Sequence, residues 1–390
     1  MSKKPYILYV LGGALDHGGT EFHLYHLLPR LNQIGYEIEV HCLRGEGVLA
    51  EGMRRMGVRV TSGPMVIGKM RGPMGKLARL VSGGLFLSIR IIRKRPDVIH
   101  FFLRSAYVLG GYVARFWRIR YQIMSRRDMN LYMLENVRLR RQEAFFHRRM
   151  DVLLGNSKAV TKELIEEGAD SEKVGLIYNG IDVKRFEKLP KKIYVREQLG
   201  LPLDALVLVN VANLWAYKGH SDLIKALVKV SFDREWRLLL VGRDEGAECK
   251  LNKLLHEYDL VGNVIFAGDV DDVRPYLAAA DVAVSASHKE GFSNAVLEYL
   301  AAGLPSVLTD VGGNREAIGG SGLIVPAHDS DAFASGLNRL LREPSLEHRA
   351  ALARQRAKIF SLEASVQNYD AVYQSVVSGL GLPAAVSVVG

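Results

Sequence analysis

Cysteine is nearly missing from this chain. Cys42 and Cys249 are the two present in 390 residues, and they stand far apart. Two isolated cysteines supply neither a zinc-ligand spacing nor a disulfide framework, so a reducing compartment is expected. Long apolar runs are missing too: no stretch approaches the ~18 apolar residues that span a bilayer. The first apolar run, in MSKKPYILYVLGG, is broken by glycines and reads as a β-strand rather than a signal peptide. The histidines form no H-E-x-x-H or other zinc spacing, and no G-x-S-x-G marks a serine hydrolase. No metal is expected.

What is present is a globular composition, 48% hydrophobic and 24% charged, at a length that suits two domains. Charge is unevenly spread. Residues 1–199 hold 35 Lys+Arg against 19 Asp+Glu, a balance of +16, and the remainder holds 17 against 23, a balance of −6. A basic half implies an anionic partner, unless it is only a solvated surface. Its extreme is Gly68–Pro96, with five arginines, three lysines and no acid. Leu77, Leu80, Leu85 and Ile89 recur there at roughly helical spacing, with Lys76, Arg79 and Arg90 placed for another side. Such a helix suits an anionic membrane interface, or else packs on a core with a solvated basic side. Gly83–Gly84 argues against one continuous helix. Phe86 is its one aromatic, too few for base stacking, so no nucleic acid is expected.

Short apolar runs alternate with helical stretches. The strand candidates are Tyr6–Leu11, Glu37–Leu43, Val58–Ser62, Asp97–Phe102, Tyr121–Ser125, Asp151–Gly155 and Val174–Tyr178, then Leu206–Ala212, Arg237–Gly242, Val264–Gly268, Val282–Ala286, Pro305–Thr309 and Gly322–Val325. Continuous apolar strands separated by helices predict parallel sheets covered on both faces. The charged, proline-bounded stretch Asp182–Pro202 interrupts the series and is the expected linker. The predicted organisation is an N-terminal domain over 1–181, a linker over 182–202, a C-terminal domain over 203–360 and a final segment over 361–390. The two α/β domains are expected to be doubly wound and to face a cleft.

Ligands of such sheets bind at strand carboxyl ends, where helix N-termini present free N–H groups. Three loops therefore matter. Gly12–Leu24 carries Gly12, Gly13, Gly18 and Gly19, which suit a phosphate or merely a tight turn. Ala212–Ile224 carries Lys218 before a helix start, an unfavourable place for a cation unless an anion joins it. Ser287–Glu298 carries two carboxylates. A capping box on Ser293 would place its acid at Val296, so capping does not explain Glu298, which stands between Leu297 and Tyr299. A carboxylate on so apolar a helix is costly unless paired or hydrogen-bonded, and Glu290 and Glu298 together favour one ligand over a structural ion pair. Asp269-Val270-Asp271 and Asp329-Ser330-Asp331 have D-x-D spacing, but both precede helices and read as caps.

The stretch Glu290-Gly291-Phe292-Ser293-Asn294, with Glu298 and AAGLPSVLTDVGGNREAI, resembles the E-x7-E region of family-4 retaining glycosyltransferases. GGALDHGGTEFHL, PDVIHFFL, MSRRDM, GNSKAV, IYNGID, KGHSDLI and DVRPYLAAADVAVSAS follow in that family's order, from about residue 5 to about residue 340. The resemblance implies a GT-B fold of two Rossmann-like domains, with the donor on the C-terminal one and the acceptor on the other. It implies a last helix within Ser361–Gly379 that returns to the first domain. By the same resemblance Glu298 bonds the donor ribose and Glu290 contacts the transferred sugar. The amides of Gly291, Phe292, Ser293 and Asn294 hold sugar and diphosphate, Lys218 binds the diphosphate, and Gly18 and Gly19 approach it. His100 matches a family histidine on the substrate side.

Two positions depart from the family. Asn213 stands where members carry a diphosphate-binding arginine, and Arg243 is the candidate replacement. Phe102 stands where many members carry a sugar-binding histidine. The function implied is retaining transfer of a hexosyl or N-acetylhexosaminyl group from a nucleotide diphosphate sugar. A UDP-sugar is the expected donor and no separate cofactor is expected. The acceptor would be a glycan or lipid-linked hydroxyl in bacterial polysaccharide or glycolipid synthesis, and the expected location is cytoplasmic, either free or peripheral on the inner face of the membrane. A non-catalytic nucleotide-sugar-binding subunit and a nucleotide-sugar epimerase are the alternatives.

Overall fold

The structure is a computed structural model, and it describes residues 4–63, 72–129 and 137–388. The chain forms two compact units. One comprises residues 1–180 together with 362–390, and the other is Ile181–Ser361.

The first unit is built on a seven-stranded parallel sheet. Its strands are β1 (Tyr6–Leu11), β2 (Glu37–Cys42), β3 (Arg59–Ser62), β4 (Val98–Phe102), β5 (Tyr121–Arg126), β6 (Val152–Gly155) and β7 (Val174–Leu176), in the order β3-β2-β1-β4-β5-β6-β7. The second sheet repeats the pattern with β8 (Leu206–Val211), β9 (Trp236–Val241), β10 (Val264–Gly268), β11 (Val282–Ser285), β12 (Ser306–Thr309) and β13 (Leu323–Val325), in the order β10-β9-β8-β11-β12-β13. Every candidate strand is present, displaced by two residues at most at either end. The reason is that strands buried on both faces must be apolar throughout, as in the wholly buried YILYVL of β1.

Strand order reverses between β1 and β4 in one sheet and between β8 and β11 in the other. The crevice at such a reversal is where open α/β sheets bind ligands. The glycine loop follows β1, the Lys218 loop follows β8 and the Glu290 loop follows β11, so the topology puts all three at reversals.

The closing helix Leu362–Val377 packs into the core of the first unit. Leu362, Val366, Tyr369, Val372, Tyr373 and Val376 join Ile7, Tyr9, Leu24, Leu28 and Tyr36 in one apolar cluster. The Tyr9 and Tyr373 hydroxyls share a hydrogen bond, and Tyr373 also meets His100 Nδ1 at 2.7 Å. Asp182–Pro202, expected as a linker, lies within the second unit. Arg196 anchors it: the buried guanidinium donates to the carbonyls of Leu203, Ala205 and Ala279 and to Asp281.

Glycines 83 and 84 do not break the basic helix, which runs unbroken over Gly72–Lys94. They pack against Leu109 and Val113 of the helix Arg104–Phe116, and a Cβ on Gly83 would press on Leu109 at 3.2 Å. Arg90 does not take the solvated side. It turns inward and forms a two-nitrogen ion pair with Glu39, which is fully buried on β2. Leu87 and Ile91 face the core, and Leu80, Val81, Leu85 and Ile92 are exposed. Gly68–Arg71 and the side chains of Lys76, Leu77 and Arg79 lie outside the described residues.

Candidate active site

Glu298 lies on the helix Asn294–Ala302, half-buried between Leu297 and the fully buried Tyr299. Among the described residues none hydrogen-bonds to its carboxylate. Burial pushes this carboxyl up to about 7, with the Arg185 guanidinium opposing the rise and Asp272 adding to it. An acid held this way, near neutrality and without a donor, can accept hydrogen bonds from hydroxyl groups. Tyr299, its neighbour, points the other way: its hydroxyl accepts from the amide of Val211 at 2.7 Å and so fixes the end of β8.

Glu290 sits on the loop after β11, and Lys218 Nζ reaches its Oε1 at 2.7 Å. Both side chains are less than one-fifth exposed, so the attraction is only partly screened by water. Two glycines make this closeness possible. Gly219 has φ +70°, and a Cβ there would stand 1.9 Å from the Ala286 carbonyl oxygen. Gly312 has φ +50°, and a Cβ there would strike the Glu290 carbonyl oxygen at the same distance. Only glycine meets both demands.

The loop between Ser287 and the helix is tied down from several sides. His288 N donates to Tyr217 O at 2.7 Å, Gly313 N to Gly291 O at 2.8 Å, and Thr309 Oγ1 to Ser287 O at 2.6 Å. Phe292 packs edge-on against Phe360. Ser293 occupies the N-cap position, yet its hydroxyl caps nothing. Gly291 and Ser293 are buried, and among the described residues no group accepts from their amides. Unpaired amides just ahead of a helix, here that of Asn294–Ala302, can cradle an anion. His220, which follows Gly219, is buried with neither ring nitrogen paired. Burial and the charge of Lys218 push it down to about 4, so it is neutral near pH 7.

The second unit therefore brings together Lys218, Glu290, Glu298 and the amides of residues 291–294. Arg185 and Asp272, absent from the sequence reading, add the field around Glu298. Asn213 accepts from the Arg243 amide at 3.1 Å, and the Arg243 guanidinium is bound to Glu245. Asn213 and Arg243 are therefore neighbours, as a replacement requires, but the Arg243 charge is already engaged. Asp329 caps the helix Ser330–Leu341 through Ala332 N. Asp272, rather than Asp269 or Asp271, accepts from Arg274 N at the next helix start.

In the first unit, Gly18 stands at the N-cap of the helix Gly19–Gln33. A Cβ on Gly18 would meet the Glu21 carboxylate at 2.2 Å, so Gly18 makes room for that side chain. His100 is fully buried, with Nδ1 on Tyr373 and Nε2 on Ser125 Oγ at 2.8 Å. Both nitrogens serve the core, which departs from the substrate-side place implied for it. Arg127, within MSRRDM, was not singled out by sequence. Its guanidinium bonds Asn179 and Tyr369 but leaves Nε buried without a partner.

The family model described as Glycosyltransferase Family 4 matches residues 17–185, and that of Glycosyl transferases group 1 matches residues 205–343. A D-inositol 3-phosphate glycosyltransferase of Thermobispora bispora is 30% identical, the match covering 85% of this chain and 83% of the relative. The chain belongs to glycosyltransferase family 4. A second D-inositol 3-phosphate glycosyltransferase, from Kineococcus radiotolerans, is 28% identical over 94% of this glycosyltransferase and 92% of the relative. Among solved structures, Anabaena HepE in complex with UDP and glucose superposes with a TM-score of 0.80 at 22% identity, over 95% of this chain and all of that one. WaaG, a glycosyltransferase involved in lipopolysaccharide biosynthesis, does so with a TM-score of 0.73 at 18% identity, over 96% of this chain and all of that one. The fold of this glycosyltransferase is accordingly GT-B, with two Rossmann-like α/β domains.

Proposed function

We propose that this glycosyltransferase moves a hexosyl or N-acetylhexosaminyl group from a nucleotide diphosphate sugar, with UDP the expected base carrier, to an acceptor hydroxyl with retention of anomeric configuration. The observation that carries the reading is Glu298: a half-buried carboxylate without a donor, in the unit that also holds the Lys218–Glu290 pair and two unpaired amides just ahead of the same helix. A ribose supplies the missing hydroxyl donors. The amides of Gly291 and Ser293 and the Lys218 ammonium face the diphosphate, and Glu290 takes a hydroxyl of the sugar.

Charge grows on the diphosphate as the glycosidic bond breaks. Fixed N–H donors and an ammonium already in place lower the barrier to that growth without reorganising. In a front-face reaction the departing phosphate oxygen accepts the acceptor proton, so no side-chain base is required. Anabaena HepE, with UDP and glucose bound in its structure, supports the choice of donor.

The acceptor reading rests on the first unit. Leu80, Val81, Leu85 and Ile92 are exposed on the basic helix, Tyr112 and Phe116 on the helix beside it and Trp117 just past its end, and Arg93, Lys94, Arg95, Arg115 and Arg118 are exposed as well. Apolar and aromatic side chains together with cations suit an anionic membrane surface. An acceptor on a lipid anchor fits this face. No described helix is long and apolar enough to cross a membrane.

A thermal-shift panel of nucleotide diphosphate sugars tests the donor. One member should raise the midpoint by linkage, and Glu298→Ala should abolish that rise. A panel in which no member shifts the midpoint sinks the reading. A second reading, a subunit that binds the donor without turnover, is favoured by Asn213 standing where the family has arginine while Arg243 is engaged by Glu245. A donor shift with no product against a broad acceptor panel would select it.

A further inference from the structure

The spacing of the histidines along the chain showed no metal site, yet among the described residues folding assembles two candidate groups. In one, Glu143, His147 and Glu167 are already bound to Arg126 and Tyr107; the other has no such cation among the described residues. Asp222, His288 and His328 each offer one ligand atom, and the three atoms lie within 4.8 Å of one another. They come from three separate elements. Asp222 is in the first turn of the helix His220–Leu227, His288 is on the loop after β11, and His328 is on the loop after β13. His288 Nε2 is 2.7 Å from Asp222 Oδ2, and the two imidazole rings lie 3.8 Å apart, tilted by 35°.

We propose that Asp222, His288 and His328 form a binding site for a borderline first-row divalent cation of the Zn²⁺, Co²⁺ or Ni²⁺ kind. Metal–nitrogen and metal–oxygen distances of about 2.0–2.2 Å put neighbouring ligand atoms roughly 3–4.3 Å apart. Small side-chain rotations reach that geometry from the separations present. Two imidazoles and a carboxylate select borderline cations; Mg²⁺ and Ca²⁺ prefer all-oxygen sets.

The simpler explanation is a His–Asp hydrogen bond with a second ring resting on it. It accounts for the first two residues but leaves the third unexplained. His328 is exposed, and it holds φ +59°, a left-handed conformation that few residues other than glycine adopt. Its position is fixed from below, because the next residue, Asp329, caps the helix Ser330–Leu341. Asp222 is fixed by its helix, and His288 by the hydrogen bond that its backbone N–H donates to Tyr217 O. Three donors on three fixed anchors are preorganised, so little ordering opposes binding. Three protein ligands leave the remaining positions to water. The bound ion would tie the loop two residues before Glu290 to the helix His220–Leu227 and to the β13 loop. This site is independent of the donor reading.

The test is calorimetric titration of tag-free, chelator-dialysed protein with Ni²⁺ and with Zn²⁺. One saturable equivalent is expected for each, a raised thermal midpoint with each, and no response to Mg²⁺. His328→Gly separates ligation from folding, since glycine accepts the left-handed backbone. It should leave the metal-free midpoint unchanged or higher, while weakening Ni²⁺ about tenfold or more. Asp222→Asn should weaken binding as well, and Cys249→Ser should bind as the parent does. Absence of saturable binding, or parental affinity in both His328→Gly and Asp222→Asn, overturns the site.

Discussion

Lys218 Nζ and Glu290 Oε1 stand 2.7 Å apart, although 72 residues of chain separate them. The pair joins the loop after β8 to the loop after β11. Lys218→Ala leaves Glu290 a partly buried anion without its cation, which costs more than a surface pair would. The double variant Lys218→Ala/Glu290→Ala should therefore be more stable than Lys218→Ala alone, by about 1–2 kcal/mol, in denaturant unfolding. Equal stabilities would show the pair to be energetically silent. Donor affinity should fall in both variants.

Glu298→Ala separates binding from folding. With no donor bound, deleting a carboxylate that has no partner should leave stability unchanged or raised. Donor affinity should fall by about 1.5–3 kcal/mol, the worth of a hydrogen bond to a charged group, and turnover should fall with it. Loss of stability with unchanged donor affinity would make Glu298 a structural residue.

The raised carboxyl of Glu298 gives a signed pH effect. Its folded value is about 7 and its ordinary value 4.5, so between them the folded state binds the extra proton. The stability it contributes is complete below about 4.5 and is lost as pH rises through about 7. Glu298→Gln should therefore gain on the parent as pH climbs from about 5 to about 8. Donor affinity should run the opposite way in the parent, rising through the same window as the carboxylate forms. A flat difference between parent and variant across this range refutes the assignment.

Sugar transfer should persist in EDTA, because the proposed mechanism draws its charge stabilisation from Lys218 and backbone amides. An ion at His288 and His328 would be stripped without stopping the reaction. Complete loss, restored by Mn²⁺, would return Asp269 and Asp271 to consideration. Arg243→Ala should weaken donor binding if this arginine replaces the one missing at Asn213. Unchanged affinity would leave it to its pair with Glu245.

Flotation with anionic vesicles tests the exposed face of the basic helix. At low salt the protein should float with them, and at 1 M salt, where the Debye length is about 3 Å, the electrostatic part should vanish. Leu85→Glu with Phe116→Ser should reduce flotation without lowering donor affinity. Protein that stays in the soluble fraction at low salt points to a soluble acceptor.

Much of this was legible along the chain because parallel strands write themselves as continuous apolar runs. Strand order then puts their carboxyl-end loops at known places, which is why Lys218, Glu290 and Glu298 could be picked out together. What was hidden is pairing across distance. Arg185 and Asp272 bear on Glu298 only after their loops have folded. His100 could not be read as a core residue without Tyr373, which lies 273 positions later. Gly83 and Gly84 look like helix breakers until Leu109 and Val113 are packed on them. Spacing in sequence carries no information about Asp222, His288 and His328, because three different turns deliver them.

The helix Leu362–Val377 also sets an order of events during synthesis. The core around Tyr9 and Tyr36 is short of Tyr369 and Tyr373 until that helix has been translated. All of Ile181–Ser361 emerges from the ribosome in the meantime. At roughly 5–20 residues per second this wait lasts on the order of 10–40 s. The first unit therefore completes its core only after the second has been synthesised.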